Sequence, residues 1–393
     1  MIRHIMKPLL IAIMFCLPFL SYGQARDCRA VEPVSHAVGV DIRPSVIAQT
    51  DDFFMGNNSS GKPQYAAGAL HLKYSLMNSS IRQGIGVGVH PFFNNAEIGT
   101  PVSLYIFQGA RIAKLSESLS IDYEWNFGAS FGWKPFDEVT NPYNDVVGSK
   151  VNAYLNAGIM FSWRPDPQWT FTFGLDASHF SNGNTGYPNL GVNTLGLRAG
   201  AVRKVACASG RLSEFMTSGP MEKGTFKDRL TCDLVLYGAV KKYAAVIFED
   251  VYVPDGYFGV AGVNVNPMCK VSSFFRAGIS LDIQYDESSA LEGRFAGVND
   301  QGDIRFYLPP LVEQFTAGLS MRAELVMPVF SVNLGVGYDL YDKNVSRKNF
   351  YQVAALKASV TPRLFIHIGY RLYDFSDPDN LMLGLGWRFG RTG

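Results

Sequence analysis

Apolar and polar residues alternate along this chain in repeated runs of about ten to thirteen residues. The run that starts at Leu119 is apolar at every second position up to Ala129. The same pattern recurs at residues 151–163, 169–177, 315–325, 330–340, 364–372 and 381–389. Successive side chains of a β-strand point to opposite faces, so a period of two predicts strands with one apolar and one polar face. Strands of this length cross a lipid bilayer when they are tilted.

About sixteen such segments can be counted, joined by alternately short and long connections. In a bilayer, strands satisfy all their backbone groups only when they pair around a closed ring. We therefore predict an all-β protein, an antiparallel transmembrane β-barrel. The long polar stretch 206–230 separates two halves of about eight strands each. This allows one barrel of about sixteen strands or two barrels in tandem, and we prefer the single large barrel because tandem barrels on one chain are uncommon.

The first residues are typical of a secretory signal peptide. Arg3 and Lys7 precede the apolar residues 8–20, and the small residues Ser21 and Gly23 follow at the positions of a cleavage site. Short connections of bacterial barrels face the periplasm, which places the long stretch after the first half on that side. The predicted organisation is a signal peptide at 1–23, a first barrel half at 24–205, a periplasmic connection at 206–230 and a second barrel half at 231–393. We expect the chain in the bacterial outer membrane.

Composition narrows the class of function. Aromatic residues make up 13% of the chain and charged residues only 18%, which suits a barrel whose outer face meets lipid. The net charge of +1 offers no basic surface for nucleic acid. No two cysteines have C-x-x-C spacing, so neither a metal site nor a cofactor is predicted. The four cysteines beyond the signal peptide allow three disulfide connectivities, which the sequence leaves open: Cys28, Cys207, Cys232 and Cys269.

One of the six histidines has neighbours that indicate chemistry. His179 and Ser181 continue the lipid-facing, odd-numbered side of the run at 169–177, and Asn193 has the same parity on the next run. Polar groups on that face are costly unless they are paired or used. A serine hydroxyl becomes a nucleophile when a histidine takes its proton and a third group orients the imidazole. We predict Ser181 as nucleophile, His179 as general base and Asn193 as the orienting group.

The residues around this site resemble a known family. His-x-Ser-Asn at 179–182 and Pro-Asn-x-Gly at 188–191 are similar to the motif of the PagL-type lipid A 3-O-deacylases. The resemblance is sharp over residues 150–205 and loose back to residue 36. It implies an outer-membrane barrel of eight strands that hydrolyses an ester-linked acyl chain of lipid A, without a cofactor. The implied partners are lipid A or lipopolysaccharide of the outer leaflet and membrane lipid.

The resemblance also carries residue roles. It implies that Ser181 is the nucleophile and His179 the general base, as in the family. Asn182 and Asn189 match loop positions of the motif, and Asn189 is the better candidate to stabilise an oxyanion. This sequence has Asn193 where the family usually carries Glu. An amide can orient an imidazole, but it does not offset the charge of the imidazolium.

The first hypothesis is therefore a membrane esterase acting on lipid A or a related glycolipid. The alternatives are a non-catalytic barrel, either a porin-like channel or a structural protein with a relic site, and an adhesin that uses its outer loops. Convergence of the three side chains outside the barrel favours the esterase, whereas a wide, hydrated lumen favours a channel. The sequence leaves open which acyl position is cleaved.

Five arginines lie at the polar, inward-facing positions of the alternating runs. We expect them to pair with acids such as Glu124, Asp282 and Glu324 inside the barrel: Arg198, Arg276, Arg322, Arg371 and Arg388.

Overall fold

The structure is a computed structural model of the 393-residue chain. It describes residues 34–78, 80–207, 225–247, 250–254, 256–272, 275–291, 294–298, 304–326, 330–343, 348–375 and 377–390. The predicted signal peptide 1–23 and most of the predicted connection 206–230 lie outside these ranges. The chain divides into two compact units, each built on one barrel.

The first eight strands form a closed antiparallel barrel. They are β1 (Ser35–Ile47), β2 (Ala66–Met77), β3 (Ile81–Val89), β4 (Gly99–Lys114), β5 (Leu119–Trp133), β6 (Val151–Trp163), β7 (Trp169–Ser181) and β8 (Val192–Cys207). Each strand pairs with the next, and β8 closes the ring by pairing with β1, with Ser35 opposite Cys207 and Ile47 opposite Thr194. A short helix, α1 (Asp52–Met55), lies in the connection between β1 and β2.

A second closed barrel follows after the helical turn α2 (Phe226–Arg229). Its strands are β9 (Leu230–Lys241), β12 (Phe258–Lys270), β13 (Phe275–Asp286), β16 (Phe315–Val326), β17 (Phe330–Tyr341), β18 (Phe350–Ser359), β19 (Leu364–Tyr373) and β20 (Asp377–Gly390). β20 pairs with β9 and closes this ring. Its connections contain two small sheets, β10 (Ala245–Ile247) with β11 (Asp250–Tyr252) and β14 (Phe295–Val298) with β15 (Ile304–Phe306), and a 3-10 helix at Leu311–Gln314.

The all-β class and the two halves of eight strands are confirmed. β8 pairs with β1 and β20 pairs with β9, so the strands of each half close on themselves. Among the described residues, no helix combines the length and apolar character that a membrane span requires.

Alternation predicted the strands well because it reports directly which face each side chain occupies. The runs at 151–163 and 364–372 coincide with β6 and β19 to within one residue. On β7 the odd-numbered Phe173 and Leu175 are 57% and 59% exposed, whereas the even-numbered Asp176 is buried. The apolar face therefore points outwards and the polar face points into the barrel, as the sequence predicted.

Buried ion pairs fill the interior of the first barrel. The fully buried Arg198 lies 2.8 Å from Asp41 and 2.5 Å from Glu124. Arg43 donates to Asp176 at 2.9 Å. Such charges are tolerated away from water only when they are paired and hydrogen-bonded, so the lumen is a packed polar core.

The second barrel is filled in the same way. Arg322 donates to Asp282 at 2.8 Å and Arg276 to Glu324 at 2.8 Å. The remaining two arginines predicted to face inwards bind other acids, Arg371 at Asp339 and Arg388 at Asp233. The expectation that these arginines pair inside the barrel is confirmed.

An apolar cluster closes the loop end of the first barrel, where α1 and the loops before β4 and β6 meet. Phe53 and Phe54 of α1 are completely buried in it, together with Phe92, Trp133 and Val146. The cluster fills this end with apolar side chains, and it packs the surrounding loops against the strands.

Cysteine pairing is only partial. Cys207 is disulfide-bonded, whereas Cys232 and Cys269 are free thiols. Cys28 lies outside the described residues, and the free Cys232 and Cys269 do not take part in any of the three connectivities that use all four cysteines.

Candidate active site

Strand register brings three polar side chains together at the loop end of β7 and β8. His179 lies directly opposite Asn193 on β8. Ser181 follows two residues after His179 on the same outward face and lies opposite Ala153 of β6. Directly opposite residues of an antiparallel pair have Cβ atoms about 4.5–5.5 Å apart, close enough for their side chains to interact.

The three side chains form a continuous hydrogen-bonded chain. Asn193 Oδ1 lies 2.7 Å from His179 Nδ1, and His179 Nε2 lies 2.9 Å from Ser181 Oγ. An amide oxygen can only accept, so the proton of the neutral imidazole belongs on Nδ1. Nε2 is then the acceptor for the Ser181 hydroxyl. The convergence of the three groups on the outside of the barrel agrees with the sequence prediction, while their catalytic roles remain a prediction.

Phe180 fixes the direction in which its two neighbours point. Its ring is buried inside the barrel against the rings of His90, Phe92, Trp133 and Tyr154, with centroid distances of 5.0, 5.8, 5.1 and 5.2 Å. Because adjacent side chains of a strand alternate, an inward Phe180 requires an outward His179 and Ser181.

Gly191 brings the backbone against the imidazole from the loop side. Its φ of +77° is a left-handed conformation that favours glycine. A Cβ here would lie 2.9 Å from the Phe180 carbonyl oxygen and 3.3 Å from His179 Cε1. The Gly191 N–H donates to the Val146 carbonyl at 3.1 Å, which holds this backbone in place.

Gly191→Ala is expected to lower the rate of the ester hydrolysis predicted for this site by about 10- to 100-fold, because the new methyl group displaces the imidazole from its line with Ser181. Initial rates of lipid A hydrolysis measure the effect. Gly61→Ala is the matched control, since Gly61 also has a positive φ of 63° but a Cβ there meets nothing within 4 Å. Equal rates for the Gly191 variant and the wild type would show that this contact does not position His179.

The two predicted oxyanion residues are joined to each other within the connection between β7 and β8. The backbone N–H of Asn182 donates to Asn189 Oδ1 at 2.9 Å, and Asn182 Nδ2 donates to the Gly186 carbonyl at 3.0 Å. Asn189 Nδ2 donates to Asn184 Oδ1 at 3.1 Å. The Asn182 backbone N–H is thus used for loop structure, while the side-chain amide of each asparagine carries a second N–H. Asn182 is buried, whereas Asn189 is partly exposed.

Acidic residues lie on the two loop segments that support the site. Burial, together with the carboxylates of Asp51 and Asp52, raises the pKa of Asp145 to about 6. Asp145 precedes Val146, whose carbonyl holds Gly191. The Ala48 N–H, a few residues before Asp51, donates to the Asn193 carbonyl at 2.9 Å. The charge state of Asp145 therefore bears on the stability of the backbone around His179, Ser181 and Asn193.

Asp145→Asn is expected to raise the unfolding midpoint near pH 7.5 and to have little effect near pH 4. A carboxyl whose folded pKa is raised binds its proton more tightly in the folded state, so the wild type loses stability as the pH rises from about 4 to about 6. Denaturant unfolding in detergent at both pH values measures this. Glu138→Gln, at an exposed position of the same loop, is the control. An offset of the same size at both pH values would contradict the assignment.

Sequence reasoning identified the three converging side chains but missed their supports. The inward direction of Phe180 could have been derived from the alternation on β7. Nothing in the sequence indicates that Val146 and Ala48 provide backbone hydrogen bonds to the site, because both come from segments distant in the chain. Within the described ranges, no group of three or more His, Cys, Asp or Glu side chains is arranged to hold a metal ion.

Two protein-family models match the chain. A model described as lipid A 3-O-deacylase (PagL) matches residues 55–201. A model described as acyloxyacyl hydrolase, C-terminal domain, matches residues 230–391. The resemblance predicted for the first half is confirmed. The second match was not expected, because residues 231–393 carry no second His-x-Ser-Asn motif. A search of curated proteins finds no match to the chain.

Solved structures similar to this chain include a surface protein and a siderophore receptor. Neisserial surface protein A is 13% identical, with 44% of this chain and 99% of that chain covered and a TM-score of 0.31. The siderophore receptor PirA from Acinetobacter baumannii is 7% identical, with 88% of this chain and 68% of that chain covered and a TM-score of 0.24.

Proposed function

The chain belongs to the PagL family of lipid A 3-O-deacylases, and on that premise we propose that it cleaves an ester-linked acyl chain of lipid A by a serine mechanism. Its place is the outer membrane, in agreement with its family and its barrel fold. The observation that carries the proposal is the hydrogen-bonded chain from Asn193 through His179 to Ser181 on the outer surface of the first barrel.

The first half-reaction transfers the acyl group to the protein. Ser181 Oγ attacks the ester carbonyl carbon while His179 Nε2 takes the hydroxyl proton, for which the 2.9 Å separation is suitable. The imidazolium that forms keeps its Nδ1–H on Asn193 Oδ1. When the carbon–oxygen bond of the ester breaks, His179 returns the proton to the leaving sugar oxygen, which departs as a hydroxyl, and the acyl group remains on Ser181.

The second half-reaction uses water. His179 takes a proton from the attacking water, the acyl-serine ester breaks, and the fatty acid leaves as Ser181 regains its proton. In both halves a negative charge develops on the carbonyl oxygen and must be stabilised by N–H donors. The second N–H of Asn189 is suited to that role, whereas Asn182 acts by holding Asn189 through its backbone N–H.

The surroundings of the site suit a lipid substrate. Leu155 lies opposite His179 on β6, and Leu195 follows two residues after Asn193 on β8. They are 41% and 58% exposed on the outward face. An acyl chain in the outer leaflet can therefore reach the serine without leaving hydrocarbon, whereas a water-soluble ester would have to enter the membrane first.

The filled interior speaks against the alternative of a porin-like channel. Ion pairs such as Arg198 with Glu124 occupy the lumen, and the apolar cluster of Phe53, Phe54 and Trp133 closes its loop end. A channel needs a continuous hydrated path. Neither the ion-paired lumen nor the apolar cluster provides such a hydrated path.

Product analysis tests the proposal. Folded full-length protein in detergent is incubated with lipid A, and the products are analysed by mass spectrometry. We expect lipid A lacking one acyl chain together with the free fatty acid, in equal amounts. Loss of an amide-linked chain, or an unchanged spectrum from protein that still runs as a folded barrel on an unheated gel, would contradict the proposal.

A further inference from the structure

A short apolar segment of the second unit is exposed beside its barrel. Four side chains of residues 307–312 are strongly exposed: Tyr307 (66%), Leu308 (74%), Leu311 (65%) and Val312 (58%). Single exposed apolar residues are ordinary on protein surfaces. A contiguous group of this kind indicates an interaction site.

The 307–312 segment is held in place through its backbone. The N–H of Tyr307 donates to the Arg294 carbonyl at 2.9 Å, and Tyr341 of β17 donates from its hydroxyl to the Val312 carbonyl at 3.0 Å. The 3-10 helix at Leu311–Gln314 follows at once, and Gln314 is buried. The apolar side chains are therefore presented on an ordered backbone, which lowers the entropy lost when they bind.

The segment continues the lipid-facing surface of the second barrel. Phe315 begins β16 and has the same outward parity as Leu319 and Met321, which are 49% and 67% exposed. On the neighbouring strand β17, Leu340 is 69% exposed on the same side. β16 from Phe315 to Leu325 already spans about 25 Å when tilted, the height of the apolar band of a membrane barrel. Residues 307–312 therefore extend this band by one layer, into the interface region.

The distribution of charged residues around the 307–312 segment agrees with contact between this segment and lipid. No charged residue occurs from Phe306 to Val312. The next charge along the chain, Glu313, forms an ion pair with Arg294, and Arg294 also donates to the Ala290 carbonyl at 3.1 Å. The charge that directly follows the segment is thus neutralised, which reduces the cost of bringing the apolar side chains into contact with lipid. On the other side, the nearest charged residue in the chain is Arg305.

We propose that the 307–312 segment is a membrane-interface anchor that inserts Leu308 and Leu311 among the acyl chains of the adjacent leaflet. Its partner is a lipid surface. Amphipathic segments of this kind bury their apolar side chains about 5–10 Å into the boundary between headgroups and acyl chains. The anchor adds an attachment to lipid outside the ring of strands, on the barrel that carries no His-x-Ser-Asn motif.

Photocrosslinking tests the anchor. A benzophenone amino acid is placed at Leu308 of the full chain, the protein is reconstituted in phosphatidylcholine vesicles, and lipid adducts are quantified by mass spectrometry after irradiation. Met321 on the lipid-facing strand is the positive control. Val139, 88% exposed in a loop of the first unit, is the solvent control. We expect the adduct yield at Leu308 to approach that at Met321 and to exceed that at Val139 by about tenfold, as partitioning of a leucine-sized group into hydrocarbon predicts.

Two outcomes overturn the proposal. A yield at Leu308 equal to that at Val139 means that the segment faces water. Adducts with a second copy of the protein, in place of lipid, mean that the segment is a protein interface. The three labelled proteins are compared only after each shows the mobility of a folded barrel on an unheated gel, so that misfolding of one variant is not read as loss of lipid contact.

Discussion

Ser181→Ala is expected to lower kcat for lipid A hydrolysis by about 10⁴- to 10⁵-fold, which is the roughly 10⁶-fold loss of an intact triad less the contribution of the carboxylate that Asn193 does not supply. Without Oγ no acyl-serine can form, and only the orientation of substrate and any oxyanion stabilisation remain. Single-turnover assays with lipid A, read by mass spectrometry, measure the decrease. The wild type should also give an acyl adduct located on Ser181 when the reaction is quenched early, and the variant should give none.

Ser178→Ala is the matched control for this substitution. Ser178 lies on the same strand but has the opposite parity, and its hydroxyl accepts a hydrogen bond from Asn156 inside the barrel at 2.9 Å. Its loss should leave the rate within a few-fold of the wild type. The double variant Ser181→Ala/His179→Ala should be no slower than Ser181→Ala alone, because the two residues act as a unit. A Ser181 variant with wild-type activity would rule out the serine mechanism while leaving open a deacylase that uses another nucleophile.

Asn193→Asp is expected to raise kcat by about 10- to 100-fold. The substitution keeps the length of the side chain, so the 2.7 Å contact with His179 Nδ1 is retained. The new carboxylate turns this bond into a charge-assisted one and stabilises the imidazolium that forms when Ser181 gives up its proton. Initial rates at saturating lipid A measure the gain.

Two further substitutions separate charge from orientation at this position. Asn193→Leu removes the acceptor, so the imidazole loses the partner that fixes its tautomer, and the rate should fall well below that of the wild type. Ala177→Asp adds a carboxylate on the same outward face of β7, two residues from His179 and opposite Leu195 of β8, whereas His179 lies opposite Asn193. It should not reproduce the gain. If Asn193→Asp is no faster than the wild type, the amide already meets the needs of the site, and the usual Glu of the family is not required here.

Much of the fold could be derived from the sequence because alternation acts locally. A lipid-facing residue must be apolar and its neighbour inside the barrel can be polar, so β6 and β19 could be located to within one residue. The number of rings could not be derived in this way. Closure depends on whether β8 pairs with β1 or with a strand of the second half, and that choice concerns residues about 150 or more positions apart, such as Ser35 and Cys207.

The candidate site was also accessible from the sequence in part. Parity placed His179, Ser181 and Asn193 on one face, and strand register then brought His179 opposite Asn193. The preference for Asn189 over Asn182 as oxyanion donor came from the family resemblance. The structure adds a reason for it, since the Asn182 backbone N–H is used to bind Asn189.

The sequence by itself determined which residues face lipid, which face the lumen, and which three polar groups share the outward face near the end of β7. These properties follow from side-chain alternation, which depends only on neighbouring positions. Only the tertiary structure decided that the strands close into two rings, that Phe180 is clamped by four aromatic rings, and that Val146 holds Gly191 against the imidazole. Those contacts join segments far apart in the chain, and they depend on the register of whole barrels, which no local pattern specifies.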